Sequence, residues 1–297
     1  MNVVFYYIYE RMKRTSLILL VCCLWILNVS CGSGNLFQPD KKNALRAPSY
    51  PLIMIDPYTS IWSFTDQLNE DATRHWTGKE QGLLGVIEVD GVSYRFMGKE
   101  APEEGTPVRF EKAAVQQSVN VLPTQTYYTF ECGPVCLDLI FTSPLLLNDL
   151  DRMSTPVNYI SWQVRATDGK THETRLTVEA SPSLAVHSDD QAVTVAFEEE
   201  NGISYVKAGT VEQSVLARKG DDVRIDWGYF YLAARTEKQT EMKVSDRQQL
   251  VYSRDMGTVS DSPQSGFLMV GYDDLYSIQY FKDNRMGYWK HNGKKNI

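Results

Sequence analysis

The sequence predicts an all-β protein built as a large β-sandwich, and three observations carry that expectation. After Pro48, apolar residues recur with period two far more than with period 3.6, the spacing that puts one face of a strand into a core. Short turn signals such as Asp90-Gly91, Asp168-Gly169 and Asn201-Gly202 separate the alternating stretches, as they do in sandwiches. Helical signal is scarce, with one short stretch at Asp273 to Phe281 where Asp273 or Asp274 could cap.

The N-terminal segment comes first in order. Met12-Lys13-Arg14-Thr15-Ser16 is a short basic region, followed by an apolar run from Leu17 to Leu27 and then Asn28-Val29-Ser30-Cys31. That layout predicts a signal peptide with a lipobox over 1–31, with Cys31 lipidated after cleavage. The apolar run is shorter than the about 20 residues needed to span a bilayer. Cleavage near Ser30 to Gly34 without a lipid is the plainer alternative. Either way the mature protein is expected to be exported, as a periplasmic protein or an outer-membrane lipoprotein. A second apolar patch, Val3 to Ile8, precedes the charges, and translation from Met12 would remove it. Residues 32–47 read as a flexible tether, and 48–264 as the sandwich.

Within the sandwich, Leu83 to Val89 and Val92 to Met97 flank a type I′ signal at Asp90-Gly91. Gln125 to Glu131 and Leu137 to Thr142 flank Cys132-Gly133-Pro134-Val135-Cys136. A three-residue turn there sets the cysteines opposite each other, within reach of a disulfide. A two-residue type II′ turn instead pairs Cys132 with Val135 and leaves free thiols on opposite faces. Both readings stay open. Tyr159 to Ala166 returns through Glu173 to Glu179, and Ala192 to Phe197 through Ile203 to Lys207. Val223 to Ile225, Tyr229 to Ala234 and Thr240 to Val244 continue the strand series. Residues 265–297 are rich in aromatic groups (Tyr276, Tyr280, Phe281, Tyr288, Trp289), too many to leave in water without a cover.

Composition narrows the function classes. With 43 % hydrophobic and 11 % aromatic residues the chain can bury a core and is no disordered tail. Its net charge of −7 becomes −9 once Arg11, Lys13, Arg14 and Glu10 leave with the leader. An acidic surface disfavours nucleic acid and anionic membranes as partners, so membrane contact is expected only through a lipid anchor.

The chemistry-bearing residues are few. Asp56-Pro57-Tyr58-Thr59-Ser60-Ile61-Trp62-Ser63 and Thr73-Arg74-His75-Trp76 are polar-aromatic clusters. Tryptophan, histidine and a carboxylate together suit a wall that stacks a sugar ring or grips a small polar ligand. The plainer reading packs Tyr58, Trp62 and Trp76 at a domain junction with His75 hydrogen-bonded and inert. The four histidines are scattered, so neither a metal cluster nor a His-based triad is signalled, and no cofactor is expected. The carboxylate pairs Asp189-Asp190, Asp221-Asp222 and Asp273-Asp274 read as solvated turns. No G-x-S-x-G elbow, phosphate loop or dinucleotide fingerprint occurs.

A resemblance adds what pattern does not. Residues 47–98, containing DPYTSIWS and HWTG, resemble the start of the glutaminase A family of exported bacterial and fungal proteins, and TYYTFECGPVCLDLIFTSPLLLNDLDRMSTPVNYISWQV (126–164) and GYDDLYSIQYFKDNRMGYW (271–289) resemble later stretches of the same family. The resemblance implies a supersandwich-like N-terminal part, with the short C-terminal helix leading over 265–297 toward a helical α/α-toroid domain. It implies hydrolysis of L-glutamine to glutamate and ammonia by the whole protein, with acid and base on the helical part. The sandwich would then be inactive alone, and Asp56, Trp62, His75 and Trp76 would form a substrate wall or domain interface. The alternatives are a glycan-active or glycan-binding surface lipoprotein and a self-standing interaction module, so the ligand expected is a small amide or a sugar.

Overall fold

Alternation becomes strands at nearly every place the sequence points to. The computed structural model describes residues 47–100, 109–110 and 112–293. The leader, Cys31 and tether residues 32–46 lie outside the described residues. In chain order come β1 (Tyr50–Asp56), β2 (Thr59–Ser63), β3 (Leu83–Val89), β4 (Val92–Met97), β5 (Val115–Leu122), β6 (Gln125–Cys132) and β7 (Val135–Thr142). A single turn of helix, α1 (Leu150–Ser154), follows, its first turn capped by the Asp149 carboxylate accepting from the Arg152 amide at 3.0 Å. Then come β8 (Val157–Ala166), β9 (His172–Ala180), β10 (Val193–Glu200), β11 (Ile203–Thr210), β12 (Tyr229–Arg235), β13 (Thr240–Val244), β14 (Leu250–Val259) and β15 (Gln264–Asp273). Two short strands, β16 (Ile278–Tyr280) and β17 (Asp283–Arg285), close the series.

The strands form an eight-stranded sheet in the order β10-β11-β12-β15-β8-β7-β6-β5 and a five-stranded sheet in the order β13-β14-β9-β3-β4. Their apolar faces share one core, and the Phe96 ring on β4 meets Phe130 on β6 with centroids 6.0 Å apart. Each such fully buried ring contributes roughly 1.5–3 kcal/mol relative to exposure. Described strands pair antiparallel throughout, which fits short turns between neighbours. The type I′ expectation at Asp90-Gly91 is met by left-handed backbone at both residues (φ 49° and 79°). Hairpin β1–β2 forms a separate small sheet, tied to β6 by the Thr126 hydroxyl donating to the Pro51 carbonyl at 2.7 Å.

Four expectations are corrected. Asp273 to Phe281 is not a helix: β15 runs through Asp273, Leu275 is left-handed (φ 55°), and β16 follows. The Asp273 carboxylate that was to cap a helix instead accepts from the Leu275 amide at 2.9 Å and from Lys290 Nζ at 2.5 Å. Residues 265–273 are no connection either, because β15 lies between β12 and β8 inside the larger sheet. Val223 to Ile225 is buried throughout, Arg224 included, and forms no strand; Ile225 donates its amide to the Tyr58 carbonyl at 3.2 Å instead. Finally, Cys132 and Cys136 do not bond each other. The two-residue turn pairs Cys132 with Val135 and Glu131 with Cys136, so the cysteine side chains leave on opposite faces, and Cys132 is a buried free thiol. Burial raises that thiol far above its ordinary range, so it is inert as a nucleophile.

Candidate functional site

The turn between β1 and β2 is where the polar-aromatic residues of the sequence gather. Asp56 ends β1, and its carboxylate accepts from the amides of Tyr58 (2.7 Å) and Thr59 (3.0 Å), closing the turn on itself. The Pro57 carbonyl then accepts from two side chains of the 73–79 loop, His75 Nε2 at 3.0 Å and Trp76 Nε1 at 2.6 Å. On the other side of the turn the Tyr58 ring lies against Trp227, centroids 5.9 Å apart.

His75 is fully buried and its bonds assign the tautomer. Arg224 Nη1 donates to the Thr77 hydroxyl at 2.8 Å, and that hydroxyl lies 2.9 Å from His75 Nδ1. With Nε2 donating to Pro57, Nδ1 is the acceptor, so the ring is neutral. Burial first, and the Arg224 charge next, push its pKa down to about 4, against the Pro57 carbonyl that favours the protonated ring. His75 therefore holds a turn together and does not exchange protons at neutral pH.

Trp62 and Trp76 part company. Trp76 is 43 % exposed. Trp62, half-buried on β2, pairs its backbone with Arg74 and donates its indole N–H to the Ser60 hydroxyl at 3.2 Å. The structure thus brings Asp56, His75 and Trp76 around one turn and sets Trp62 on the strand beyond it.

Beneath this turn, at the end of the core face, opens a cavity of about 670 Å³, the size of a small-molecule site. Asp56, Tyr58 and Thr59 line it from above; neither His75, Trp62 nor Trp76 does. β8 and β15 supply its floor. Asn158 stands opposite Val270 in that ladder, so Asn158, Val270 and Tyr272 share one face. Three buried polar atoms among the lining residues have no hydrogen-bond partner: Thr59 Oγ1, Asn158 Nδ2 and the Tyr272 hydroxyl. Such atoms cost roughly 1–3 kcal/mol each when left unpaired, so each calls for an explanation.

The wall also carries Asp274. Burial pushes its carboxyl pKa up, the neighbouring charges of Asp273 and Asp56 push the same way, and the Ser277 bond and Lys290 oppose them. The pair Asp273-Asp274 is thus no solvated turn: Asp273 is buried in an ion pair with buried Lys290, and Asp274 faces the cavity. By contrast Asp189 and Asp222 are well exposed, paired with Lys79 and Arg224. Sequence reasoning missed Asn158, Tyr272 and Asp274. A signal existed for Tyr272, since Leu268, Val270 and Tyr272 alternate into the core and carry the strand past 264. Among the described residues no group of three or more His, Cys, Asp or Glu could hold a metal ion.

Around the cavity mouth the surface is apolar. Ile278, Met286 and Tyr288 on its rim are exposed, as are Leu145 in the wall and Leu146 and Leu147 beside it. At the tip of hairpin β16–β17, Phe281 is 83 % exposed.

Comparisons with known proteins agree on the region. Residues 124–251 and 238–296 match the family described as Domain of unknown function (DUF5127), and residues 20–104 match Domain of unknown function (DUF4964). Glutaminase A of Aspergillus oryzae (strain ATCC 42149 / RIB 40) is 27 % identical over 213 residues, covering 68 % of this chain. The chain spans 28 % of the length of that relative. Among solved structures, the putative kojibiose phosphorylase from human microbiome superposes with a TM-score of 0.45 at 9 % identity, over 75 % of this chain and 29 % of that one.

Proposed function

The chain belongs to the DUF5127 family, and from that premise we propose that it is the non-catalytic β-sandwich portion of a glutaminase-like amidohydrolase. The observation that supports this reading is the match to Glutaminase A, which runs through 68 % of this chain but takes up 28 % of the fungal protein. A helical remainder would carry the acid and base. The sandwich would contribute its apolar end as a docking face and the cavity beneath the β1–β2 turn as a binding wall. Tyr276, Ile278, Tyr280, Phe281, Met286 and Tyr288 supply the docking groups, all exposed in this chain. The basic region from Met12, the apolar run after it and Cys31 support export and lipid anchoring of the same protein.

Two measurements test the reading. The purified 297-residue chain should release no ammonia from L-glutamine, while binding a hydrophobic dye and self-associating on sizing. Appreciable ammonia release would show that catalysis resides here, and a clean monomer without dye binding would remove the docking face. For export, a Cys31→Ser substitution should shift the membrane-bound protein to a soluble form lacking the mass of a lipid. Unchanged membrane attachment would overturn the anchor.

A further inference from the structure

The lining of the cavity beneath the β1–β2 turn is unbalanced in charge. Two carboxylates, Asp56 and Asp274, belong to its wall, and among the described residues no Lys, Arg or His lines it. Lys290 does not redress this, because its ammonium is already spent on Asp273 at 2.5 Å. The wall adds two hydroxyls that can accept a hydrogen bond, Thr59 Oγ1 and Tyr272 Oη, both without a partner on residues no more than 2 % exposed. The Tyr58 ring in the wall is 40 % exposed and tilted against buried Trp227, and an exposed tyrosine ring can take a cation over its face. One donor is also left over, Asn158 Nδ2.

We propose that this cavity binds a small organic cation, a ligand whose ammonium or guanidinium nitrogen sits between Asp56 and Asp274. The nitrogen supplies N–H donors to two carboxylates and two hydroxyls that otherwise have an excess of acceptors. Burial comes first in raising the Asp274 pKa, and the ligand's charge relieves the repulsion from Asp273 and Asp56 that adds to it. A neutral ligand of the same shape satisfies the hydroxyls but leaves the charges facing each other, so it gains less.

This inference deepens the reading of the cavity as a binding wall and rests on it. The test is calorimetric titration of the folded 297-residue chain with methylguanidinium chloride and, in parallel, with its neutral counterpart methylurea at matched ionic strength. Methylguanidinium is expected to bind saturably and at least about tenfold more tightly than methylurea. Asp274→Asn and Asp56→Asn should each weaken the cation about tenfold and leave methylurea unchanged. Asp189→Asn, which removes a well exposed carboxylate outside the cavity wall, should change neither. If methylurea binds as tightly as methylguanidinium and the cavity substitutions discriminate nothing, the wall survives and the cation assignment is overturned. If neither probe binds saturably to chain whose near-ultraviolet dichroism is intact, wall and cation fall together. Should Asp274→Asn not fold, the Asp56→Asn arm and the cation-to-urea ratio still decide.

Discussion

His75 and His172 are both buried, yet their surroundings push them in opposite directions. His75 has no carboxylate partner and is held neutral, its pKa lowered to about 4 by burial. His172 has Asp90 at 2.6 Å on Nδ1 and Asp168 at 3.0 Å on Nε2, and those bonds, Asp168 first, raise its pKa. In the unfolded chain both return to about 6.5. As pH falls from about 6.5 toward 4, the unfolded state takes up a proton that folded His75 refuses, so stability drops, by up to about 3 kcal/mol across that window. As pH rises through the elevated pKa of His172, the folded state loses the proton that its two carboxylates favour, and the stability present below 6.5 is lost. Melting temperature against pH should therefore fall on both sides of a maximum near 6.5. His75→Gln should flatten the acid limb and His172→Gln the limb just above 6.5; an unchanged acid limb in His75→Gln would contradict the assignment. At this scale Asp56, His75 and Trp76 were legible because they lie close in sequence and are polar among aromatics. Thr59, Asn158, Tyr272 and Asp274 come from β2, β8 and the end of β15, and only strand assembly brings them to one cavity. Nothing within a short window marks them as a set.

Elements were readable wherever a turn is encoded by its own residues. Asp90-Gly91 and Asn201-Gly202 adopt left-handed backbone (φ 49° and 79°, 52° and 77°), and strands predicted on either side of each are present. The hairpin β16–β17 obeys the same geometry without the sequence for it. Its central residues, Phe281 and Lys282, take φ of 47° and 75°, a conformation that costs a bulky residue roughly 1 kcal/mol or more. A strong aromatic stretch with no Asn or Gly at the bend reads as helix or core, and so the hairpin went unseen. Tyr280 and Phe281 are exposed at this bend, and their rings meet edge to face 4.5 Å apart. Replacing the pair by Phe281→Asn and Lys282→Gly should slow amide exchange across Ile278–Tyr280 and lower dye binding by the same chain. Faster exchange would show that the aromatic pair, and not the turn, holds the hairpin.

For the whole molecule, the decisive arrangement is non-local. β15 is the last long strand in sequence, yet it sits between β12 and β8 in the interior of the eight-stranded sheet, and no periodicity encodes that placement. Its insertion joins the β10–β12 half of the sheet to the β8–β5 half, so the sheet is continuous only when residues up to Asp273 are present. Behind β15, Lys290 returns to Asp273 and Trp289 is buried at 3 % exposure, which ties the segment after the hairpin to the sandwich. Two truncations follow from this. A chain ended at residue 263 leaves β12 and β8 with open edges and should show no cooperative thermal transition. A chain ended at 274 keeps the sheet but strands the Asp273 carboxylate without its ammonium, a loss of about 3–5 kcal/mol for a buried pair broken from one side. That shortened chain should melt cooperatively at a clearly lower temperature, and Asp273→Asn within it should recover part of the loss by removing the uncompensated charge. A 263-residue chain that melts like the parent would mean that the two halves of the sheet stand without the strand between them.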